Sequence, residues 1–205
     1  MNLRFKIFEP HSKSLDQGLV MDLGQVEGAV MADQIHTDQI LEVQERPDEA
    51  PQCDAFITQQ KGLPLMVKVA DCQGVLMYDP KTETVASVHS GWRGSALNII
   101  GKTILRMRRD FGVNPKNLLV AIGPSLGPCC AEFSDPKNEL PEFCHPFILP
   151  NQHVDFWNLS LAQCQMAGVP ARQVEVAGQC TKCQPGFYSH RNGDRQRMGI
   201  FAKLQ

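Results

Sequence analysis

The sequence predicts one α/β domain of the α+β kind, residues 1–205, with a mixed central sheet flanked by helices. Three observations carry this. Short runs rich in Val, Leu, Ile and Met, bounded by Pro, Gly and Asp, crowd residues 55–123, as strands of a buried sheet do. Leu97, Ile100, Ile104, Met107 and Phe111 recur at intervals of 3, 4, 3 and 4, one face of a helix. A chain of 205 residues that is 42% hydrophobic and 20% charged supports one sizeable core and is not disordered.

The elements follow in order. "QERPDEAPQCD" (44–54) is polar and Pro-containing, hence a loop. "AFITQQ" (55–60) is a short strand, and "PLMVKVA" (64–70) reads as a strand buried on both faces. "GVLMYD" (74–79) and "TVASVHS" (84–90) form a hairpin across "PKTE", with Asp79-Pro80 at the turn. A helix then runs through "SALNIIGKTILRMRRDFG", with basic residues in its last turn and Gly112 as its stop. "NLLVAIG" (117–123) is the next strand. A polar helix near 136–143, a helix over 158–167 and strands near 173–177 and 198–203 complete the outline.

The net charge of -2 argues against non-specific nucleic-acid or acidic-membrane partners. No segment has the apolar length to span a bilayer, and "MNLRFKIFEP" lacks the apolar core of a leader, so a cytoplasmic protein is expected. Eight cysteines are too sparse for a disulfide scaffold.

Chemistry concentrates around "SVHSGWRGS" (87–95). Cys72 follows "VKVAD" and His89 ends "TVASV", so both stand at the C-terminal ends of strands separated by one hairpin. His36, in "QIHTDQI", is a third donor. Two imidazoles and a thiolate suit zinc, leaving a fourth position for a water whose pKa the ion lowers to about 7. Residue spacing alone favours Cys72 as an ordinary core residue, since cysteine is among the most buried residue types. Arg93 and Trp92 lie between glycines at a strand-to-helix turn, a place suited to an anion, or to packing and a structural ion pair. The lone C-x-x-C at Cys180 and Cys183 has no second C-x-x-C, and the vicinal Cys129-Cys130 would be an unusual complement, so these read as ordinary thiols.

"VKVADCQGVLMYD" followed by "SVHSGWRGS" resembles the paired signature of the YfiH/laccase-domain (polyphenol-oxidase-like) family: A-D-C, a hairpin, then H-A-G-W-R-G, with Ser90 in place of Ala. "QIHTDQI", "DAFIT" (54–58), "AIGPSLGPCC" (121–130) and "CTKCQPGFYSHRNGD" (180–194) resemble its further motifs, so the likeness runs over about residues 30–203. Two departures stand out. The family's N-terminal part is longer, and its R-R and T-G-R motifs are Arg191-Asn192 and Arg195-Gln196-Arg197 here. The resemblance implies a fold like that of the cytotoxic-necrotizing-factor deamidases and a zinc held by His36, Cys72 and His89. It implies phosphorolysis of adenosine, inosine, guanosine and methylthioadenosine, with deamination of adenosine. Cys72, His89 and Arg93 are the expected catalytic residues. Arg93, Ser125 and Arg191 are the expected contacts to nucleoside or phosphate.

Three alternatives stay open. A copper-dependent polyphenol oxidase is implied by the family's older name, but a laccase cluster needs many imidazoles. The chain has six histidines (11, 36, 89, 145, 153 and 190) and no H-x-H pair. A metal-free hydrolase would use Cys72 as nucleophile and His89 as base. A non-catalytic metal-binding domain would turn over no nucleoside.

Overall fold

A computed structural model describes residues 14–205; His11 and the N-terminal stretch read above for a leader lie outside the described residues. Two sheets form. The larger has six strands in the order β2 (Ile40–Glu42), β3 (Ala55–Thr58), β6 (Thr84–Ser90), β5 (Gln73–Asp79), β7 (Leu119–Ile122) and β8 (Val174–Val176). Its outer pairs β2–β3 and β7–β8 are parallel and its inner pairs antiparallel, so the sheet is mixed. The smaller sheet is antiparallel, with β9 (Met198–Leu204) between β1 (Leu15–Val20) and β4 (Leu65–Val69).

Alternation along the strands builds three layers. Phe56, Leu76, Tyr78, Val85 and Ala121 face the small sheet and share a core with Leu19, Val67, Val69 and Ile200. Their neighbours Ala55, Ile57, Val75, Met77, Val88, Val120 and Ile122 face the other way, onto Ile99, Ile100, Ile104 and Met107 of a helix. That sheet is therefore covered on both faces, which is why its strands read as unbroken apolar runs.

The hairpin forms as expected. Asp79 fixes its turn by accepting the Lys81 N–H at 3.0 Å and the Thr82 hydroxyl at 3.1 Å. The expected long helix is instead two: α1 (Trp92–Ala96) and α2 (Ile99–Phe111). Asn98 divides them. It adopts a left-handed backbone (φ 57) and its side chain accepts the Gly101 N–H at 3.2 Å, capping α2. Leu97, expected on the buried face, precedes that break and is 43% exposed, whereas Ile100, Ile104 and Met107 are buried. Gly112 (φ 66) ends α2 as expected.

Beyond β7 the chain forms a short helix α3 (Pro136–Glu139), a 3-10 stretch over Glu142–Phe147 and a helix α4 (Phe156–Met166) beside α2. The polar helix expected near 136–143 is thus only one turn long. β1 is an addition to the sequence reading. None of the helices is long and apolar enough to cross a membrane, among the described residues.

Candidate metal centre and its cleft

Three separate segments deliver His36, Cys72 and His89 to one point. His36 lies in irregular chain ahead of β2, with φ 58, a conformation uncommon for residues other than glycine. The Asp54 carboxylate holds it there. This side chain, buried at the entry to β3, accepts the N–H groups of Ile35 (3.3 Å), His36 (3.0 Å) and Thr37 (2.8 Å), and the Thr37 hydroxyl (3.1 Å). His89 sits near the end of β6. Its backbone N–H donates to the Asp54 carbonyl at 2.7 Å and its Nδ1 lies 2.8 Å from the Asp54 carboxylate. One aspartate thus positions both imidazoles. Because a carboxylate only accepts, Nδ1 of His89 carries the proton.

Cys72 arrives differently from the sequence expectation. β4 and β6 are not neighbours in one sheet; β4 belongs to the small sheet, and the chain crosses to the large one through residues 70–72. Cys72 therefore precedes β5, next to Gln73, which pairs with Ser90 of β6. The same end of the hairpin is reached by its first strand. One donor atom each from His36, Cys72 and His89 lies within 4.8 Å of the others. The two imidazole rings meet edge to face, 4.8 Å between centroids. Gly91 leaves the room. A Cβ there would stand 2.8 Å from His36 Nδ1 and 3.1 Å from Cys72 Sγ.

The electrostatics follow from this contact. Burial alone would raise the Cys72 thiol, but hydrogen bonds and charge from His36 and His89 outweigh it and hold it at about 6. Burial would lower His89; its bonds to Asp54 and Cys72 outweigh that and raise it to about 9. Burial also works against the Asp54 charge, yet His89 and the backbone N–H groups keep its pKa below the usual carboxylate value. Without a metal, these contacts favour a thiolate at Cys72 and a protonated His89 backed by the Asp54 carboxylate.

The three donors stand in a cleft of about 750 Å³. Lys68, Arg93, Arg191 and Arg197 line it, against Asp33 and Asp71. The Asp71 carboxylate is already bound to the Thr181 hydroxyl (2.6 Å) and the Arg191 N–H (2.8 Å). Cationic groups therefore dominate the walls although the whole chain is slightly acidic. Trp92, Phe133 and Phe156 add aromatic surface.

The expected site residues fare unequally. His36, Cys72 and His89 converge. Arg93 borders the cleft on the exposed side, its guanidinium 4.2 Å above the Trp92 ring, and no described carboxylate forms an ion pair with it. Trp92 packs edge-on against Phe133. Arg191 lines the cleft, with Nη2 donating to the Glu132 carbonyl at 2.8 Å. Ser125 is not brought there. It is fully buried, and its hydroxyl accepts the Trp157 indole N–H at 2.8 Å. Sequence reasoning missed Asp54 and Asp71 as organisers; their signal was an acid set directly before a buried strand and before a cysteine. Cys129, Cys130, Cys180 and Cys183, expected to be ordinary thiols, come together in space.

Fold and site define a two-sheet α/β protein whose sheet crossover carries a two-histidine, one-cysteine candidate metal centre. The chain belongs to the family described as multi-copper polyphenol oxidoreductase laccase, which it matches over residues 14–204. It is 34% identical over 148 residues to a protein of Bacteroides thetaiotaomicron named purine nucleoside phosphorylase, a match covering 67% of this chain and 54% of that protein. The chain thus spans about half the length of that relative. It is 28% identical over 209 residues to a protein named adenosine deaminase RL5 from an unknown prokaryotic organism, covering 90% and 79% of the two chains. The crystal structure of YlmD from Geobacillus stearothermophilus has the same fold, with a TM-score of 0.85 at 24% identity, covering 100% of this chain and 96% of that one.

Proposed function

We propose that this chain is a zinc-dependent enzyme of purine nucleosides, cleaving them with phosphate and deaminating adenosine. The observation that carries the reading is the convergence of His36, Cys72 and His89 inside a cleft with cationic and aromatic walls. The donor set fits zinc: two imidazoles, one readily ionised thiol, and a glycine at the one place where a side chain would intrude. His36, Cys72 and His89 would hold the ion, which would supply a Lewis acid in the cleft.

The remaining roles fall to the chain itself. Asp54 fixes His89 by its Nδ1–H and sets the backbone that presents His36. Trp92, Phe133 and Phe156 take the flat purine, as apolar faces do in ligand clefts of this size. Arg93, Arg191 and Lys68 hold phosphate, the arginines by their planar fork. In phosphorolysis a phosphate oxygen bonds to ribose C1′ as the C1′–N9 bond breaks and its electron pair leaves with the base. In deamination water adds at C6 and ammonia departs.

The donor set argues against a laccase cluster. His145 and His153 are spent on backbone carbonyls, of Lys137 and Leu140 and of Pro128, away from the centre. Product analysis of adenosine and inosine incubations by mass spectrometry, with and without phosphate and beside a metal assay, tests the proposal. Free base and ribose 1-phosphate only when phosphate is present, and inosine from adenosine without it, are expected. No turnover, or several copper atoms per chain, would overturn it.

A second reading has its own observation, the Cys72 thiolate beside a protonated His89 backed by Asp54. This is the arrangement of a cysteine nucleophile with its base. Full activity after chelator stripping, abolished by iodoacetamide, would favour it over zinc.

A further inference from the structure

We propose that Cys129, Cys130, Cys180 and Cys183 form a second, structural metal site that binds one zinc ion through four thiolates. The quartet comes from two loops. Cys129 and Cys130 follow β7 and Cys180 and Cys183 follow β8, and these strands pair in parallel. Backbone bonds continue the pairing past the strand ends: Ser125 N–H to the Gln179 carbonyl and Thr181 N–H to the Ser125 carbonyl, both at 3.1 Å. Residues some fifty positions apart thereby face one another.

The spacing of the sulfurs specifies what fits. Cys130 Sγ and Cys183 Sγ are 3.2 Å apart, Cys129 Sγ and Cys183 Sγ 3.6 Å, and all four lie within 4.8 Å of one another. A tetrahedral ion with 2.3 Å bonds to sulfur separates its thiolates by about 3.8 Å, inside that range. Polynuclear iron–sulfur clusters put their cysteines on different irons and spread them more widely. A pair of disulfides would consume the four sulfurs two by two, whereas here Cys183 is close to both Cys129 and Cys130.

The surroundings suit a tetrathiolate. Cys180 Sγ accepts the Gly127 N–H at 3.3 Å, the backbone bond that steadies charge on sulfur. Gly127 also lets the loop close: a Cβ there would meet the Trp157 ring at 2.9 Å and the Cys180 Cβ at 3.1 Å. Cys129 and Cys183 are exposed, so the centre sits at the rim with an entry path and no cleft for a substrate. Four protein donors close the coordination sphere, the mark of a structural ion. Its work is to staple the two loops to each other. Thr181, within the second loop, bonds Asp71, next to Cys72, so the staple also steadies one wall of the cleft.

Metal content of the full chain, purified in reductant, tests this whether or not the His36–Cys72–His89 centre is loaded. The Cys72→Ala protein is expected to keep one zinc per chain. Adding Cys183→Ser to it should remove that zinc. Cobalt(II) loaded into Cys72→Ala should show the intense sulfur-to-metal charge-transfer band of a tetrathiolate. If the double variant fails to fold, alkylation mapping of Cys72→Ala decides: the four cysteines should be protected until a chelator is added. Metal-free Cys72→Ala with four freely alkylated thiols, iron in place of zinc, or disulfides among these cysteines would overturn the proposal.

Discussion

The Asp54 carboxylate meets His89 Nδ1 at 2.8 Å while accepting the His36 N–H at 3.0 Å, so a single acid just ahead of β3 orients both histidines. Replacing it should mis-set both at once. Asp54→Asn is expected to weaken metal binding about 10- to 100-fold, as loss of partners behind metal-bound histidines does. Competition with a chromophoric chelator measures it. Unchanged affinity would show that the histidines hold their places without Asp54.

Gly91 is required for space, since its φ of -74 suits any residue. Gly91→Ala puts a methyl within 2.8 Å of His36 Nδ1. Displacement of His36 should cost at least about tenfold in metal affinity, with a small change in melting temperature. The same titration together with a thermal melt checks both halves.

Arg93 and Arg191 stand on the cleft wall rather than at the donor cluster. Alanine at either should leave metal content intact and raise the KM for phosphate about tenfold, the worth of one hydrogen bond to a charged group. Loss of metal in either variant would place these arginines in a different role.

The metal-stripped protein offers a pH test. Cys72 is held at about 6, so its thiolate is present above that pH and lost below it. Carboxymethylation of Cys72, followed peptide by peptide, should reach half its maximal rate near pH 6. Cys53 and Cys164, whose thiols burial raises to about 12, should stay silent through neutrality. A Cys72 midpoint near the ordinary thiol value would mean that the imidazoles do not act on it.

The division of the helix at Asn98 yields a stability contrast. Ile104→Ala empties a fully buried site and should cost about 2–5 kcal/mol. Leu97→Ala, although in the same sequence repeat, should change stability by less than about 0.5 kcal/mol because that side chain is exposed. Denaturant unfolding of the two variants separates the cases.

What the sequence disclosed divides by range. The 74–90 hairpin was legible because apolar composition, an Asp-Pro turn and nearest-neighbour pairing all act locally. The helix start was misplaced because the 3–4 spacing continues across Asn98, whose left-handed backbone leaves no periodic mark. β1 escaped notice because "LDQGLV" is held by its partner β9, nearly two hundred residues away. The donors His36, Cys72 and His89 were legible as residue types and through family likeness. Their organiser Asp54 was not, since a buried acid looks like a loop residue until its five hydrogen-bond donors are seen. The cysteine quartet was hidden for a related reason. Its halves are joined by the parallel pairing of β7 and β8, which no local pattern announces.

Cys72 lies on the three residues that carry the chain from one sheet to the other, beside Gly74, where a Cβ would come within 2.7 Å of Ile200 on the opposing sheet. His36 and His89 are anchored on the large-sheet side through Asp54. An ion held by all three would tie the crossover segment at the head of β5 to the ends of the neighbouring segments that carry His36 and His89. By mass action such an ion would add to the stability of the folded chain as its free concentration rises. Scarcity of that ion would then reach the protein twice, by silencing the proposed chemistry and by leaving the crossover segment less firmly held.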